Sequence, residues 1–215
     1  VVAFDINTGD AESLEAELGS NNFAFTHGDV TKKDDWARVV DFCAQKFGPV
    51  SILINNAGIS PLQRLESVTE AQYRKVIDIN QTGTFLGMQS VIPTMRLSGG
   101  AIVNIASTAA HVGFTDIFPY VASKWAVIGM TKAASLELAS FGIRVNSVSP
   151  GDTDTPLLRE VMEGGTGAAP NPSELPLGRW ARQEEISSAV IFLASNEASY
   201  ITGTDLVVDG AYTAE

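Results

Sequence analysis

The residues best able to move a proton in this chain are a tyrosine and a lysine one helical turn apart. Tyr120-Val-Ala-Ser-Lys124 places both side chains on one face of a helix, because positions i and i+4 are neighbours there. An ammonium held nearby favours phenolate over phenol and lowers a phenolic pKa that is ~10 when unperturbed. A tyrosine so placed can act as a general base near neutral pH. Tyr-x-x-x-Lys pairs are common on solvated helices, so the weight of this one depends on its surroundings.

Those surroundings carry chemistry of their own. Ser107 ends the apolar run GAIVNIAS, at the carboxyl edge of a predicted strand, where open α/β sheets bind their ligands. Its hydroxyl can donate to a substrate oxygen and stabilise charge developing there. Asn55-Asn56-Ala57-Gly58 directly follows another predicted strand. Taken alone it is a turn signal, but Gly58 also allows a cofactor to approach closely. Asn80, in VIDINQTGTF, is a polar residue in an apolar helical stretch and needs partners or a bound water.

The elements that position these residues follow from hydrophobic periodicity. Short apolar runs at Val1–Phe4, Phe23–Thr26, Ile52–Ile54, Ala101–Ile105, Arg144–Val148 and Leu206–Val208 alternate with amphipathic stretches. That alternation is the pattern of βαβ units and a parallel sheet. The continuous apolar character of the runs suits strands covered on both faces. Thr31 with Asp34 resembles a helix capping box, followed by apolar Trp36, Val39, Val40, Cys43 and Phe47 and closed by Gly48. Thr69 with Gln72 is a second box. Val121 to Ala139 is long, small-residue-rich and poorly charged, as suits a helix packed on a sheet or a subunit interface, and Glu184 to Ala194 carries one apolar stripe. Residues 152–180 break the rhythm with EGGTGAAPNPSELP, which predicts a lid or binding loop. No internal repeat or domain boundary is visible, so residues 1–215 read as one α/β domain.

Composition narrows the function classes. Fourteen basic against 25 acidic side chains give a net charge of −11, which repels phosphate backbones and argues against a nucleic-acid partner. The 45 % hydrophobic and 18 % charged content is globular, not disordered. No stretch approaches the ~20 apolar residues of a membrane span. Cys43 is the single cysteine, so no internal disulfide can form, and it reads as a buried, inert thiol in a reducing cytoplasm. His27 and His111 lie far apart without a cysteine or carboxylate pattern, so no metal site is expected. His27 reads as a surface residue and His111 as a solvated one near the substrate. Trp36 and Trp125 sit at helical core spacing, and Trp180 could pack on the lid or on a neighbouring subunit.

NNAG (Asn55 to Gly58), Asn80, Ser107, YxxxK, SPG (Ser149 to Gly151) and the terminal ITGTDLVVDGAY stand in the order and spacing of one family. The chain resembles the short-chain dehydrogenase/reductase family over essentially its whole length, and within it the bacterial hydroxysteroid and cyclic-alcohol dehydrogenases. The resemblance implies a single Rossmann-like domain, a doubly wound parallel sheet, and hydride transfer between NAD(H) and a secondary alcohol or ketone. It implies that Tyr120 is the acid–base group and that Lys124 binds the nicotinamide ribose and lowers the tyrosine pKa. Ser107 would orient the substrate oxygen, and Asn80 would hold a water of the proton relay. Asp5 matches the position that accepts from the adenosine ribose, where a carboxylate repels a 2′-phosphate and favours NAD over NADP. Beside it, Ile6 joins the cofactor set, with Asp29 and Val30 at the adenine and Asn56, Ala57 and Gly58 along the cofactor. Pro150, Gly151, Thr153 and Thr155 match the segment touching the nicotinamide amide and pyrophosphate. A homo-oligomer, typically a tetramer, is implied as well.

Two rivals share much of this pattern. The 3-oxoacyl-carrier-protein reductases carry nearly every motif but usually prefer NADP, so Asp5 counts against them. A non-catalytic dinucleotide-sensing or scaffold protein on the same fold is disfavoured by the presence of Ser107, Tyr120 and Lys124.

One part of the family pattern is not in the sequence. A first strand and glycine-rich turn, TGxxxGxG, would precede Val1 and present backbone N–H groups to the pyrophosphate. Gly164-Gly165-Thr166-Gly167 has glycines but no strand leading into it. VVAFDIN is too short for a signal peptide and lacks a basic start, and it reads as a strand already under way. The expectation is a parent chain longer by roughly 30 residues, one βα unit, whose strand lies between those beginning at Val1 and Ile52.

Overall fold

The structure, a computed structural model, describes residues 1–163 and 171–214. In chain order it runs β1 (Val2–Asp5), α1 (Ala11–Leu18), β2 (Ala24–His27), α2 (Lys33–Phe47), β3 (Ile52–Asn55), α3 (Glu70–Ile77), α4 (Gly83–Met95), β4 (Gly100–Ile105), α5 (Phe118–Leu138), β5 (Ile143–Pro150), α6 (Pro156–Glu163), α7 (Gln183–Ala194) and β6 (Asp205–Val208). All strand pairs are parallel, and each predicted strand is present to within two residues at either end.

The strands form two ladders, β1-β2 and β3-β4-β5-β6. From β1 the chain steps outward to β2, and from β3 it proceeds the other way, so the order reverses between β1 and β3. Open α/β sheets bind ligands at such a reversal. β1 and β3 do not pair. A cavity of about 700 Å³ lies between them, lined by Val2, Phe4, Trp36, Val39, Ile52 and Ile54 among others.

Packing follows the layers. On one face Trp36 and Val39 of α2 with Met88, Val91 and Met95 of α4 bury Leu53, Ile102, Ile143 and Val145. On the other, Leu193 of α7 and Ala198 cover Val103 and Val148. β4 and β5 are therefore covered on both sides, as their apolar runs require. β3 is not: its outward Ile52 and Ile54 remain exposed.

The punctuation holds in part. Thr69 and Gln72 form a reciprocal capping box at α3, and Gly48 ends α2. Thr31 and Asp34 do not form one. Helix α2 starts later, at Lys33, because Asp29 Oδ1 accepts from Thr31 N–H at 2.8 Å and Asp35 accepts from Asp29 N–H, which holds this stretch as a turn. Trp36 is core, whereas Trp125 is more than half exposed. Cys43 is half-buried and borders the cavity between the ladders, and burial pushes its thiol pKa up. The predicted loop over 152–180 contains α6 and a short 3-10 turn at Pro172–Glu174, while Gly164 to Gly167 lie outside the described residues. Among the described residues no helix is long and apolar enough to cross a membrane.

Candidate active site

Helix α5 opens with Pro119 in its first turn, a position where the missing N–H costs nothing. One residue on, Tyr120 enters a cleft of about 740 Å³ at the carboxyl ends of β3, β4 and β5. Lys124, one turn later, is almost completely buried, with Nζ donating to the Ile105 carbonyl at 2.7 Å. That bond fixes the ammonium at the end of β4, 5.4 Å from the centre of the Tyr120 ring. Two of its three donors remain for a ligand.

Burial decides the electrostatics of the pair. It lowers the Lys124 pKa to about 8. It raises that of Tyr120, and the Asp152 carboxylate raises it further, while the neighbouring Ser107 hydroxyl pulls it back. This differs from the sequence expectation of a lowered tyrosine pKa. Both groups are desolvated, and desolvation penalises whichever form is charged. Tyr120 therefore rests as a phenol, ready to give a proton.

Ser107 follows β4 and caps the 3-10 turn Thr108–Ala110, its Oγ accepting from Ala109 N–H at 3.1 Å. The hydroxyl proton is not used on that turn and can be donated to Tyr120 or to a ligand in the cleft. On the far side of that turn, His111 is not merely solvated. Its Nε2 lies 2.7 Å from Asp205 Oδ2 on β6 and 3.3 Å from Ser149 Oγ, tying the loop to the sheet.

Asn80 sits in a π-helical turn, Asp78–Thr82, between α3 and α4. Such insertions re-aim a side chain and favour functional sites. The amide makes three bonds to protein: Oδ1 accepts from Ile59 N–H at 2.9 Å, and Nδ2 donates to Ile59 C=O at 3.0 Å and to Ser123 Oγ at 3.1 Å. Ser123 in turn donates to the Tyr120 carbonyl at 2.7 Å. The partners that the sequence demanded for Asn80 are thus the Gly58–Ile59 turn and the helix bearing Tyr120. Both amide protons are thus spent on protein, while Oδ1 keeps one of its two acceptor positions.

Of the proposed cofactor positions, Asp5, Asn56, Ala57, Gly58, Pro150, Gly151, Thr153 and Thr155 line the same cleft as Ser107, Tyr120 and Lys124. Gly151 must be glycine, because a Cβ there would stand 2.9 Å from Asp209. Asp5 holds the turn after β1, accepting from Asn7 N–H at 2.8 Å. Ile6, Asp29 and Val30 do not line the cleft. Ile6 is exposed, Asp29 is spent on the turn before α2, and Val30 packs on Gly83 beside the cavity between the ladders.

Other cleft residues were not singled out individually in the sequence, although Asp152 and Leu157 fall in the predicted binding loop over 152–180. Phe114, Asp152, Leu157 and the α7 face of Ile186 and Val190 also line the cleft. Their individual signal was weak because Asp152 directly follows a motif read for its glycine, and α7 was read only as a core helix.

A family model described as enoyl-(acyl carrier protein) reductase matches residues 1–213. The chain is 40 % identical over 208 residues to trans-4-hydroxycyclohexanecarboxylate dehydrogenase of Sinomonas cyclohexanicum, covering 95 % of this chain and 78 % of that protein. It is 38 % identical over 215 residues to 3-alpha-(or 20-beta)-hydroxysteroid dehydrogenase of Mycobacterium bovis, covering 100 % and 80 %. Among solved structures, gluconate 5-dehydrogenase from Burkholderia cenocepacia, in complex with NADP and tartrate, superposes with a TM-score of 0.91 at 29 % identity, over 100 % of this chain and 85 % of that one.

Proposed function

The chain belongs to the short-chain dehydrogenase/reductase family of oxidoreductases, and we propose that it moves a hydride between NAD(H) and a cyclic secondary alcohol or its ketone, with Tyr120 as the acid–base group. The observation that carries this reading is the convergence of Ser107, Tyr120 and Lys124 on one cleft beside Gly58. Two of the proteins named above are, by name, dehydrogenases of ring alcohols, and the apolar Phe114, Ile117 and Leu157 suit a ring.

The donor set fits one end of a nicotinamide dinucleotide. Lys124 has protons free for ribose hydroxyls, and Gly58 lets that ribose approach. Bound there, the nicotinamide supplies the hydride acceptor or donor. The protein contributes orientation and the proton. Ser107 donates to the substrate oxygen and fixes it beside the Tyr120 hydroxyl. In ketone reduction Tyr120 gives its proton to that oxygen as the carbon takes hydride, and in alcohol oxidation the phenolate takes it back. Lys124, held on Ile105, offsets the phenolate charge. Asn80 acts as a positioning residue, holding Ile59 against the helix of Tyr120.

The cofactor preference rests on Asp5. Its carboxylate, at the end of β1 and on the rim of the cleft, opposes a 2′-phosphate and favours NAD. The pyrophosphate finds no cradle of backbone N–H groups among the described residues. The unpaired edges of β1 and β3, and the apolar cavity between them, support a further strand of the same polypeptide in that space, joined to the glycine turn that binds pyrophosphate. Apolar side chains left open on α4, α5 and α7, namely Phe85, Trp125 and Ile191, support a homo-oligomer, for which a tetramer is the family's usual state. The single cysteine suits a cytoplasmic setting.

The test is a panel of secondary alcohols and ketones, cyclohexanol and a hydroxysteroid included, against both NAD(H) and NADP(H). Turnover with NAD(H) at least ~10-fold better than with NADP(H) is expected, a preference of ~1.4 kcal/mol. No turnover of any ring alcohol contradicts the reading, and an equal or better rate with NADP(H) contradicts the role given to Asp5.

A further inference from the structure

One group in the cleft works against the chemistry just described. Asp152 follows Gly151 at the end of β5 and lines the cleft with Ser107, Phe114 and Tyr120. Its backbone is pinned on both sides. The Asp152 carbonyl accepts from Ala181 N–H at 2.9 Å, and Asp154 N–H donates to the Ala181 carbonyl at 3.0 Å, closing a bridge between Thr153 and Ala181. The backbone that carries the carboxylate is therefore fixed at the wall of the cleft. Two phenols feel its charge, those of Tyr120 and Tyr212, and the Tyr212 ring stacks on Phe114 with centroids 6.0 Å apart.

Among the described residues no side chain or backbone N–H bonds to this carboxylate, and no cation pairs with it. Burial raises its pKa, and its charge makes the Tyr120 phenolate harder to form. A half-buried carboxylate with no protein partner, set beside a general base, makes the phenolate harder to form and so costs rate. A substrate donor bonded to it would offset that penalty at the moment of binding.

We propose that Asp152 is a specificity-determining residue that accepts a hydrogen bond from a second hydroxyl on the substrate, so that the preferred substrates are secondary alcohols bearing a neighbouring hydroxyl. A diol held in this cleft can present its reacting oxygen to Ser107 and Tyr120 and its second hydroxyl to the carboxylate, since all three line it. The apolar side of the cleft, Phe114 and Leu157, then receives the carbon ring. Bonding to the diol draws charge off the carboxylate and eases proton removal by Tyr120, so the second hydroxyl raises kcat as well as lowering KM.

This inference rests on the dehydrogenase reading, and its test separates the two. The full-length protein is assayed with NAD and either cyclohexanol or cyclohexane-1,2-diol, as wild type, Asp152→Leu and the nearly isosteric Asp152→Asn. The expected result is a wild-type kcat/KM favouring the diol, with the diol-to-cyclohexanol ratio falling about 10- to 100-fold in Asp152→Leu, the worth of one hydrogen bond to a charged acceptor. Asp152→Asn, which keeps a neutral acceptor, falls between and carries the test if the leucine variant fails to fold. With the charge gone, the alkaline limb of cyclohexanol oxidation moves to lower pH in both variants. A ratio within twofold of wild type in both, with cyclohexanol still oxidised, overturns the inference. So does a wild-type preference for 2-aminocyclohexanol over the diol, which would assign the carboxylate to an ammonium. A wild type that oxidises neither ring alcohol overturns the reading of the reaction, and this inference with it.

Discussion

Asn80 and Ile59 hold each other by two hydrogen bonds, Ile59 N–H to Asn80 Oδ1 at 2.9 Å and Asn80 Nδ2 to Ile59 C=O at 3.0 Å. A third bond from Nδ2 reaches Ser123 on the helix of Tyr120. One side chain therefore joins the turn after β3, the π-helical turn and α5, three elements distant in sequence.

Asn80→Ala removes all three bonds at a site with almost no solvent to replace them. Each buried group left unpaired costs about 1–3 kcal/mol. With the N–H and C=O of Ile59 both stranded the loss is about 2–6 kcal/mol, and melting is expected to fall by roughly 5–25 °C, given about 2–4 °C per kcal/mol for a chain of this size. The kcat should fall more than KM rises, because the turn that is freed carries Gly58. A variant melting within a degree of wild type would show the clasp to be incidental.

The pH dependence follows from the two buried groups of the pair. Tyr120 has its pKa raised, so the phenolate that oxidation needs is scarce at neutral pH and grows as pH rises. Alcohol oxidation should climb steadily from pH 7 towards 10, whereas ketone reduction, which uses the phenol, should not. Lys124 titrates at about 8 in the folded chain against 10.5 in the unfolded one. Between those values the unfolded state binds more protons, so this group makes the protein more stable as pH rises from about 8 to 10.5. Melting of wild type relative to Lys124→Met should rise over that window, and a flat difference contradicts the burial of the ammonium.

Glu185 receives both guanidinium nitrogens of Arg179, at 2.7 and 2.8 Å, and the Arg182 N–H at 2.7 Å. These donors lower its pKa to about 2 from 4.5. Its contribution is therefore complete above pH 4.5 and lost as pH falls through 2. The pair is exposed and solvent-screened, so Glu185→Gln should cost only a few degrees of melting temperature at pH 7. The gap from wild type should close on acidification. A gap that widens towards pH 2 would reverse the sign and sink the assignment.

Helix α4 lies so close to β3 that Gly87 has no room for a methyl group. A Cβ there would stand 2.3 Å from Asn55 Oδ1 and 2.9 Å from the Trp36 ring. Asn55 cannot yield, since its Nδ2 donates to Asn104 Oδ1 at 2.8 Å and Asn104 donates to Thr131 Oγ1 at 2.9 Å. Gly87→Ala should destabilise by about 1–3 kcal/mol through overpacking, read by denaturant unfolding. A gain in stability, as helix propensity alone would give, contradicts this packing.

How much of this was legible in the sequence depends on the range of the interaction. The β4 and β5 runs announced themselves because strands covered on both faces read as unbroken apolar segments, and Thr69 and Gln72 announced a helix start because their bonds are local. Tyr120 and Lys124 were readable for the same reason, lying one turn apart. The failure at Thr31 and Asp34 is also instructive: Asp29 and Asp35 competed for the same backbone donors and won. The clasp of Asn80 on Ile59, the anchoring of Lys124 on Ile105 and the reach of His111 to Asp205 were not readable. Each joins residues 19 or more positions apart. The direction of the Tyr120 pKa was likewise a matter of tertiary burial, which the spacing of two residues does not contain.

The most direct test of the central claim is Tyr120→Phe, which deletes the hydroxyl and keeps the ring. It is assayed on the full-length protein with NAD and cyclohexanol and, in reverse, with NADH and cyclohexanone. Loss of a positioned acid–base group predicts a fall in kcat of about 10²–10⁴-fold in both directions, with the melting temperature close to wild type. Turnover within twofold of wild type in a folded variant would contradict Tyr120 as the proton-transfer group.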